Sequence, residues 1–312
     1  MALMTAVAFV VTVALTPVAA AAAVRLGIVD RPGPFKLQTR PVPYLGGVAV
    51  LVGLMGPLLA THATLAIPVG LAAAVGLGDD KVGLPVSVRL ACEGGIAVVV
   101  PIVVGVPWEA APVAAATVLV MINAVNLLDG LDGLATATAL VSGVGFAVVL
   151  HGDFRVAATA LAGSLAGFLV WNRPPARIYL GDAGSYMLGT MLAVLAAATL
   201  RPGESVHGRA AALLLVGVPV GDTAVAVVRR WRAKRPLFVG DRGHVYDQLS
   251  ARNWSTLQAT AACVCAQLVL AAVAVAVLHA PASGAIGITA GTIAVVGIWA
   301  VHTFTSPASW SD

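Results

Sequence analysis

Apolar residues make up 59% of this 312-residue chain and charged residues only 10%, against roughly 25% charged in an ordinary soluble domain. With a mean hydropathy of +0.95, the composition excludes a soluble enzyme and predicts an all-α, polytopic integral membrane bundle of about 10–11 transmembrane helices forming one domain over residues 1–312. The formal charge of +4 is a topological signal, not a nucleic-acid footprint.

Apolar runs occur near 2–24, 45–60, 62–78, 90–107, 110–127, 133–150, 154–171, 183–200, 208–228, 257–279 and 283–303. The first is expected to be a helix and not a cleaved leader, because no Lys or Arg precedes it and Arg25 follows it. The second and third form a short hairpin through Thr61 and His62. In the seventh, Gly163 and Gly167 have the small-xxx-small spacing of closely packed helices. Cys92, Cys263 and Cys265 all fall in apolar runs without a metal-site pattern and read as small core residues.

With the N-terminus outside, the loops alternate. The inside segments then carry Arg25, Arg31, Lys36, Arg40, Lys81, Arg89, Arg173, Arg177, Arg229, Arg230, Arg232, Lys234, Arg235, Arg242 and Arg252, and the outside segments only Arg155, Arg201 and Arg209. That asymmetry is what orientation by positive charge requires. Acids concentrate on the same side: Asp30, Asp79, Asp80, Asp129, Asp132, Asp182, Asp222, Asp241 and Asp247. Orientation does not recruit carboxylates, so a site at the inner boundary is expected.

Four clusters carry it. "GLGDDKVGL" ends the third run with Asp79, Asp80 and Lys81, and adjacent carboxylates repel unless a cation or proton lies between them. "NAVNLLDGLDGLA" spaces Asn123 from Asn126 and Asp129 from Asp132 by three, with Gly130 and Gly133 marking a break where backbone approaches a ligand. Amides and carboxylates together suit a hard cation such as Mg²⁺, which takes oxygen ligands and bridges phosphates. "RIYLGDAGSYMLG" sets Tyr179 and Asp182 at the start of the eighth run, and "FVGDRGHVYDQL" places Arg242, His244, Tyr246 and Asp247 in a basic loop suited to a polyphosphate. Asp222, flanked by apolar residues in the ninth run, needs a partner or a polar cavity.

In this order, and with "DRPGPFKLQTRPVPYLGG" ahead of them, the clusters resemble the polyprenyl-phosphate N-acetylhexosamine-1-phosphate transferase family. The resemblance runs from about residue 27 to 255 and implies catalytic inner loops near 25–44, 79–89, 123–133, 172–183 and 229–256. The implied reaction is attack of a polyprenyl phosphate on the sugar-linked phosphorus of a UDP-N-acetylhexosamine, giving polyprenyl-diphospho-sugar and UMP on the cytoplasmic face of the plasma membrane. The resemblance further implies a Mg²⁺ cofactor, with Mn²⁺ as a substitute, held by Asp182 with Asn126. Asp79, Asp80, Asp129, Asp132 and His244 are then the catalytic group, and Lys81, Arg89, Asn123, Tyr179, Arg242, Tyr246 and Asp247 the substrate-binding group. Tyr179 would lie against uracil. A phosphate monoester, with a second pKa near about 6, is already largely ionised at neutral pH, which favours positioning over proton abstraction for Asp79 and Asp80. No nucleic-acid partner is expected, and a homodimer is left open.

One departure stands out: "HVYD" replaces the histidine-rich form of the fourth cluster common in bacterial relatives, leaving the sugar unspecified. Two other classes of function compete. A cation- or proton-coupled transporter would keep its acids near the midplane within paired repeats, and neither is seen. An inactive relative that binds the lipid phosphate or nucleotide would follow from the altered histidines.

Overall fold

The computed structural model describes residues 1–32, 40–236 and 243–305. Helices dominate: α1 (Ala2–Leu26), α2 (Gly46–Thr61), α3 (Ala66–Val82), α4 (Val86–Val104), α5 (Ala111–Leu128), α6 (Leu134–Val149), α7 (Gly152–Asn172), α8 (Gly181–Ala198), α9 (Val206–Leu215), α10 (Gly217–Arg232), α11 (Val245–Ala251), α12 (Thr256–Val277) and α13 (Ala282–Phe304). A two-stranded antiparallel ribbon, β1 (Val29–Asp30) with β2 (Val42–Pro43), stands before α2.

Among the described residues, seven helices are long and apolar enough to cross a membrane, or eight if the bent α9–α10 pair is counted as one span. The protein is a polytopic helical membrane protein. The eleven apolar runs correspond to α1 through α8, the α9–α10 pair, α12 and α13. The bundle centres on α8, where 15 of 18 residues are buried, packed by α3, α5 and α2. α1 lies along α7, and the two expected small positions account for it. A Cβ at Gly163 would strike the Thr5 carbonyl oxygen, and one at Gly167 would sit 2.6 Å from that of Phe9. In lipid, where no hydrophobic effect presses helices together, backbones this close are a main source of cohesion. Cys263 is buried as expected, whereas Cys92 of α4 is half-buried and Cys265 of α12 is exposed, because both helices turn an apolar face outward.

The ninth run is broken, not continuous. α9 ends at Leu215, and α10 leaves at 61°. Gly217 weakens the helix, and Pro219 has no N–H to continue the ladder. The freed backbone groups find one partner: the fully buried Gln267 of α12. Its Oε1 accepts from Val218 N at 3.0 Å, and its Nε2 donates to the Leu214 and Leu215 carbonyls at 3.2 and 3.1 Å. A single amide thus satisfies three groups that hydrocarbon would leave bare.

Candidate active site

The basic ends of the helices lie together, and there the bundle opens into a cleft of about 1030 Å³. It is bounded by the ribbon, the ends of α3 and α5, the 129–133 break, the 172–181 loop, and α11. Asp80, Asn126, Asp129, Asp132, Tyr179, Asp182 and Asp247 all line it, drawn from four separate stretches of sequence.

The start of α8 is fixed by an acid from another helix. Asp80 Oδ1 accepts from Asp182 N at 2.9 Å and Oδ2 from Ala183 N at 3.0 Å, satisfying two first-turn donors that have no partner within α8. Gly181, at φ +73°, makes the turn, and a Cβ there would lie 2.9 Å from Asp80 Oδ2 and 2.5 Å from the Tyr44 carbonyl oxygen. On the cleft side, Asp182 Oδ1 accepts from Asn126 Nδ2 at 2.7 Å, and the same amide nitrogen reaches Ser185 Oγ at 3.1 Å. Asn126 therefore turns its nitrogen to α8 and leaves its oxygen for another contact.

The neighbouring acid faces elsewhere. Buried Asp79 accepts from Leu84 N at 2.7 Å, Arg89 Nη1 at 3.1 Å and the Tyr186 hydroxyl at 2.6 Å. The adjacent carboxylates avoid mutual repulsion because each has its own donors, Asp79 holding the α3–α4 turn and Asp80 holding α8.

Helix α5 ends at Leu128, and Gly133 (φ +71°) opens α6, so the expected break is present. Asp132 Oδ2 accepts from Ala176 N at 2.8 Å, tying the break to the 172–181 loop. Asn172 supports that loop from below: Thr136 Oγ1 donates to its Oδ1 at 2.7 Å, and its Nδ2 donates to the Ile178 carbonyl at 3.0 Å. The loop then pairs with β2 and the start of α2, through Tyr179 N to Pro43 O at 2.8 Å and Gly46 N to Tyr179 O at 3.0 Å. Asp129 differs from the others in that its carboxylate receives no hydrogen bond from a described residue. Burial, and then the Asp182, Asp80 and Asp132 carboxylates, push it well above the usual carboxylate range. Burial and the Asp132, Asp30 and Asp129 charges likewise raise the Tyr179 phenol, keeping it neutral.

Six expected residues with described positions stand off the cleft lining: Asp79, Lys81, Arg89, Asn123, His244 and Tyr246. Asn123 donates to Glu93 Oε2 at 2.7 Å instead of facing the cleft, because the α5 face it shares with Asn126 rotates toward α4 at that height. His244, 2% exposed, is set on Asp222, Nδ1 to Oδ2 at 2.6 Å, and Val245 N donates to Asp222 Oδ1 at 2.7 Å. Asp222 thus has the partner its apolar flanks demand. His244 stacks on Tyr246 at 5.6 Å, and the Tyr246 hydroxyl donates to the Leu127 carbonyl at 2.9 Å, seating α11 on the 129–133 break. Arg242 lies outside the described residues.

Sequence reasoning passed over Glu93, Asn172, Tyr186 and Tyr44, all polar anchors within otherwise apolar or loop sequence. Their one signal is that an uncompensated acid or amide at a helix boundary must have a partner.

Six aspartates but only Arg40 among basic residues line the described cleft. Such a surface repels an anionic nucleotide unless cations intervene. Asp182 and Asp129 with the Asn126 amide oxygen are hard oxygen donors suited to Mg²⁺. Among the described residues, no three acidic, histidine or cysteine side chains converge into a closed cage. An open set of one or two carboxylates is the usual arrangement where substrate phosphates and water complete the shell, so the residues fit the ion.

The profile of glycosyl transferase family 4 matches residues 62–200, the stretch that holds α3 through α8 and three of the four clusters. The chain is 30% identical to the probable undecaprenyl-phosphate N-acetylglucosaminyl 1-phosphate transferase of Bacillus subtilis, over 78% of this chain and 77% of that one. It is also 30% identical to the undecaprenyl-phosphate alpha-N-acetylglucosaminyl 1-phosphate transferase of Thermotoga maritima, over 78% and 80%. Against the decaprenyl-phosphate N-acetylglucosaminephosphotransferase of Mycolicibacterium smegmatis the identity is 28%, over 73% and 70%. Similarity at that level along more than three quarters of the chain, with the acidic clusters folded into one cleft, means that this membrane protein belongs to glycosyl transferase family 4.

Proposed function

We propose that the protein transfers a sugar-1-phosphate, of the N-acetylglucosamine-1-phosphate class, from a UDP-sugar to a membrane polyprenyl phosphate, releasing UMP at the cytoplasmic face. The observation that carries this reading is the Asn126–Asp182–Asp129 oxygen cluster, set in an acidic cleft at the basic end of an apolar bundle. A lipid phosphate cannot leave the bilayer and a nucleotide cannot enter it, so a cleft at this boundary is where both are in reach. The names of the relatives, which specify polyprenyl phosphates and N-acetylglucosamine, support the same substrates.

In this reading an oxygen of the lipid phosphate bonds to the sugar-linked phosphorus while the bond to the UMP oxygen breaks. At least three negative charges meet, so positioning and charge compensation dominate the barrier. Asp182, Asn126 and Asp129 would hold Mg²⁺, which supplies charge neutralisation for the phosphoryl oxygens. Asp80 aims Asp182 by fixing the first turn of α8. Asp79, tied to three donors, is a positioning group, in keeping with a nucleophile that arrives ionised. Tyr179, neutral and at the cleft wall, offers a ring face to a nucleobase. His244 and Asp222 hold α11, and with it Asp247, against the cleft.

The test is UMP release by purified protein from a panel of UDP-sugars with polyprenyl phosphate. Turnover should disappear on chelation of divalent cations and return with Mg²⁺. Asp182→Asn should lower the rate by roughly a hundredfold or more while the protein still folds, the usual cost of one lost electrostatic contact to a developing charge. Near wild-type turnover in that variant at limiting Mg²⁺ would remove Asp182 from the reaction.

A further inference from the structure

Beside the acidic cleft, and sharing Arg40, Pro174, Pro175 and Leu257 with it, lies a second cavity of about 530 Å³. Its character is the opposite. Among the described residues, Arg40, Arg173 and Arg177 line it and no acid does. None of the three guanidinium groups makes an ion pair or donates a side-chain hydrogen bond to a described residue, although orientation by positive charge needs only that such residues lie on this side.

Three like charges facing one hollow repel one another, so without a ligand the arrangement is a cost. It is also shaped. The Arg177 guanidinium is held over the Trp171 ring, 5.7 Å from its centroid, and Trp171 is itself fixed by donation from Nε1 to the Val13 carbonyl at 3.2 Å. A cation seated on an indole keeps its N–H edge free for an oxyanion. The remaining wall is apolar: Val170 is 44% exposed and Leu257 63% exposed, at the ends of two helices whose outer faces meet lipid. A soluble anion would gain nothing from those side chains, whereas a headgroup with acyl chains beneath it uses both walls.

We infer that this cavity is a binding site for the phosphate of an anionic bilayer lipid, with Arg40, Arg173 and Arg177 on the phosphate and Val170 and Leu257 against the upper acyl chain. Basic pockets between helices on the inner side of a membrane are suited to such headgroups. The phosphate has two sources, the bulk anionic glycerophospholipid and the polyprenyl phosphate.

Native mass spectrometry of the full chain in detergent tests the site, using phosphatidylglycerol, a short-chain polyprenyl phosphate, zwitterionic phosphatidylcholine and inorganic phosphate as separate probes. Arg173 and Arg177 are exposed and make no ion pair with a described residue, and Arg177 has only its ring contact with Trp171, so Arg173→Ala/Arg177→Ala should fold, with a melting temperature near that of the wild type as the check. Loss of two lipid-facing charges should weaken binding of the anionic lipids at least about tenfold. Arg173→Lys/Arg177→Lys should retain most of it, and Arg25→Ala/Arg31→Ala, an equal charge loss on the same side, should retain all of it. Preferential loss of phosphatidylglycerol identifies the bulk lipid as the occupant, and preferential loss of the polyprenyl phosphate identifies that lipid; either supports the site. Equal binding by wild type and the double alanine variant, or tighter binding of inorganic phosphate than of either lipid, would overturn it. No turnover is measured, so the outcome is separate from that of the transferase reading.

Discussion

At the residue scale, Asp129 is the group whose environment is least reconciled with its charge. Its proton affinity in the native protein is raised above the ordinary value of 3.8. A carboxyl that binds its proton more tightly when folded gives full relative stability below the unfolded value and loses it as pH rises through the native one. In the presence of a chelator, the melting temperature should therefore fall as pH rises from about 4 towards neutrality, and Asp129→Asn should flatten that slope while lowering turnover. Melting curves in detergent at several pH values decide it, and an unchanged slope in the variant would place the strain elsewhere. Tyr179 gives a sharper test of nucleotide contact. Tyr179→Phe keeps the ring and should be mild, whereas Tyr179→Ala should weaken UDP-sugar affinity about five- to a hundredfold, since stacking on a base is worth about 1–3 kcal/mol. Unaltered affinity would return the ring to an interfacial role.

At the element scale, the features that matter most are places where one helix completes another. Gln267 of α12 satisfies the break between α9 and α10, and α10 carries Asp222, which holds His244 and α11. Replacing it by Leu leaves three buried backbone groups without partners, at about 1–3 kcal/mol for each unsatisfied group. Gln267→Leu should thus lower the melting temperature and also turnover, though the residue lies far along the chain from every acid. Gln267→Glu, which keeps an acceptor for Val218, should be less harmful to stability if protonated and no better if ionised. The sequence did carry the elements: each of the eleven apolar runs falls on a helix or on the bent α9–α10 pair, although only seven helices, or eight with that pair, have spanning length and apolarity among the described residues, and the small residues of α7 marked its contact with α1. It did not reveal the break, because Pro219 and Gly217 are individually tolerated in membrane helices and their rescue depends on an amide fifty residues away. For the same reason the four clusters were legible as clusters, but Asn123 and His244 were expected at the cleft although each pairs outside it. Spacing gives the face of a helix, not the rotation at which that face meets its neighbours.

At the scale of the whole molecule, two helices next to the cleft are short. α2 and α6 have 16 residues each, or roughly 24 Å of rise against a hydrocarbon layer of about 30 Å. Both begin at the cleft: α2 where Gly46 N meets the Tyr179 carbonyl, and α6 at the Gly133 turn. A bilayer that meets a short apolar span thins locally or lets the neighbouring protein surface sink below its headgroup plane. The entrance for the nucleotide is then expected to lie beneath the average membrane surface, level with the phosphate of a lipid whose chain has not been lifted. Membrane thickness becomes a parameter of catalysis. In nanodiscs of graded acyl length, with headgroup composition held constant, turnover should be highest in the thinner bilayers and decline as thickness increases, whereas melting temperature should change little. Reconstitution in a thick, sterol-like membrane would then silence the protein without unfolding it, by raising the lipid phosphate out of line with the carboxylates that await it.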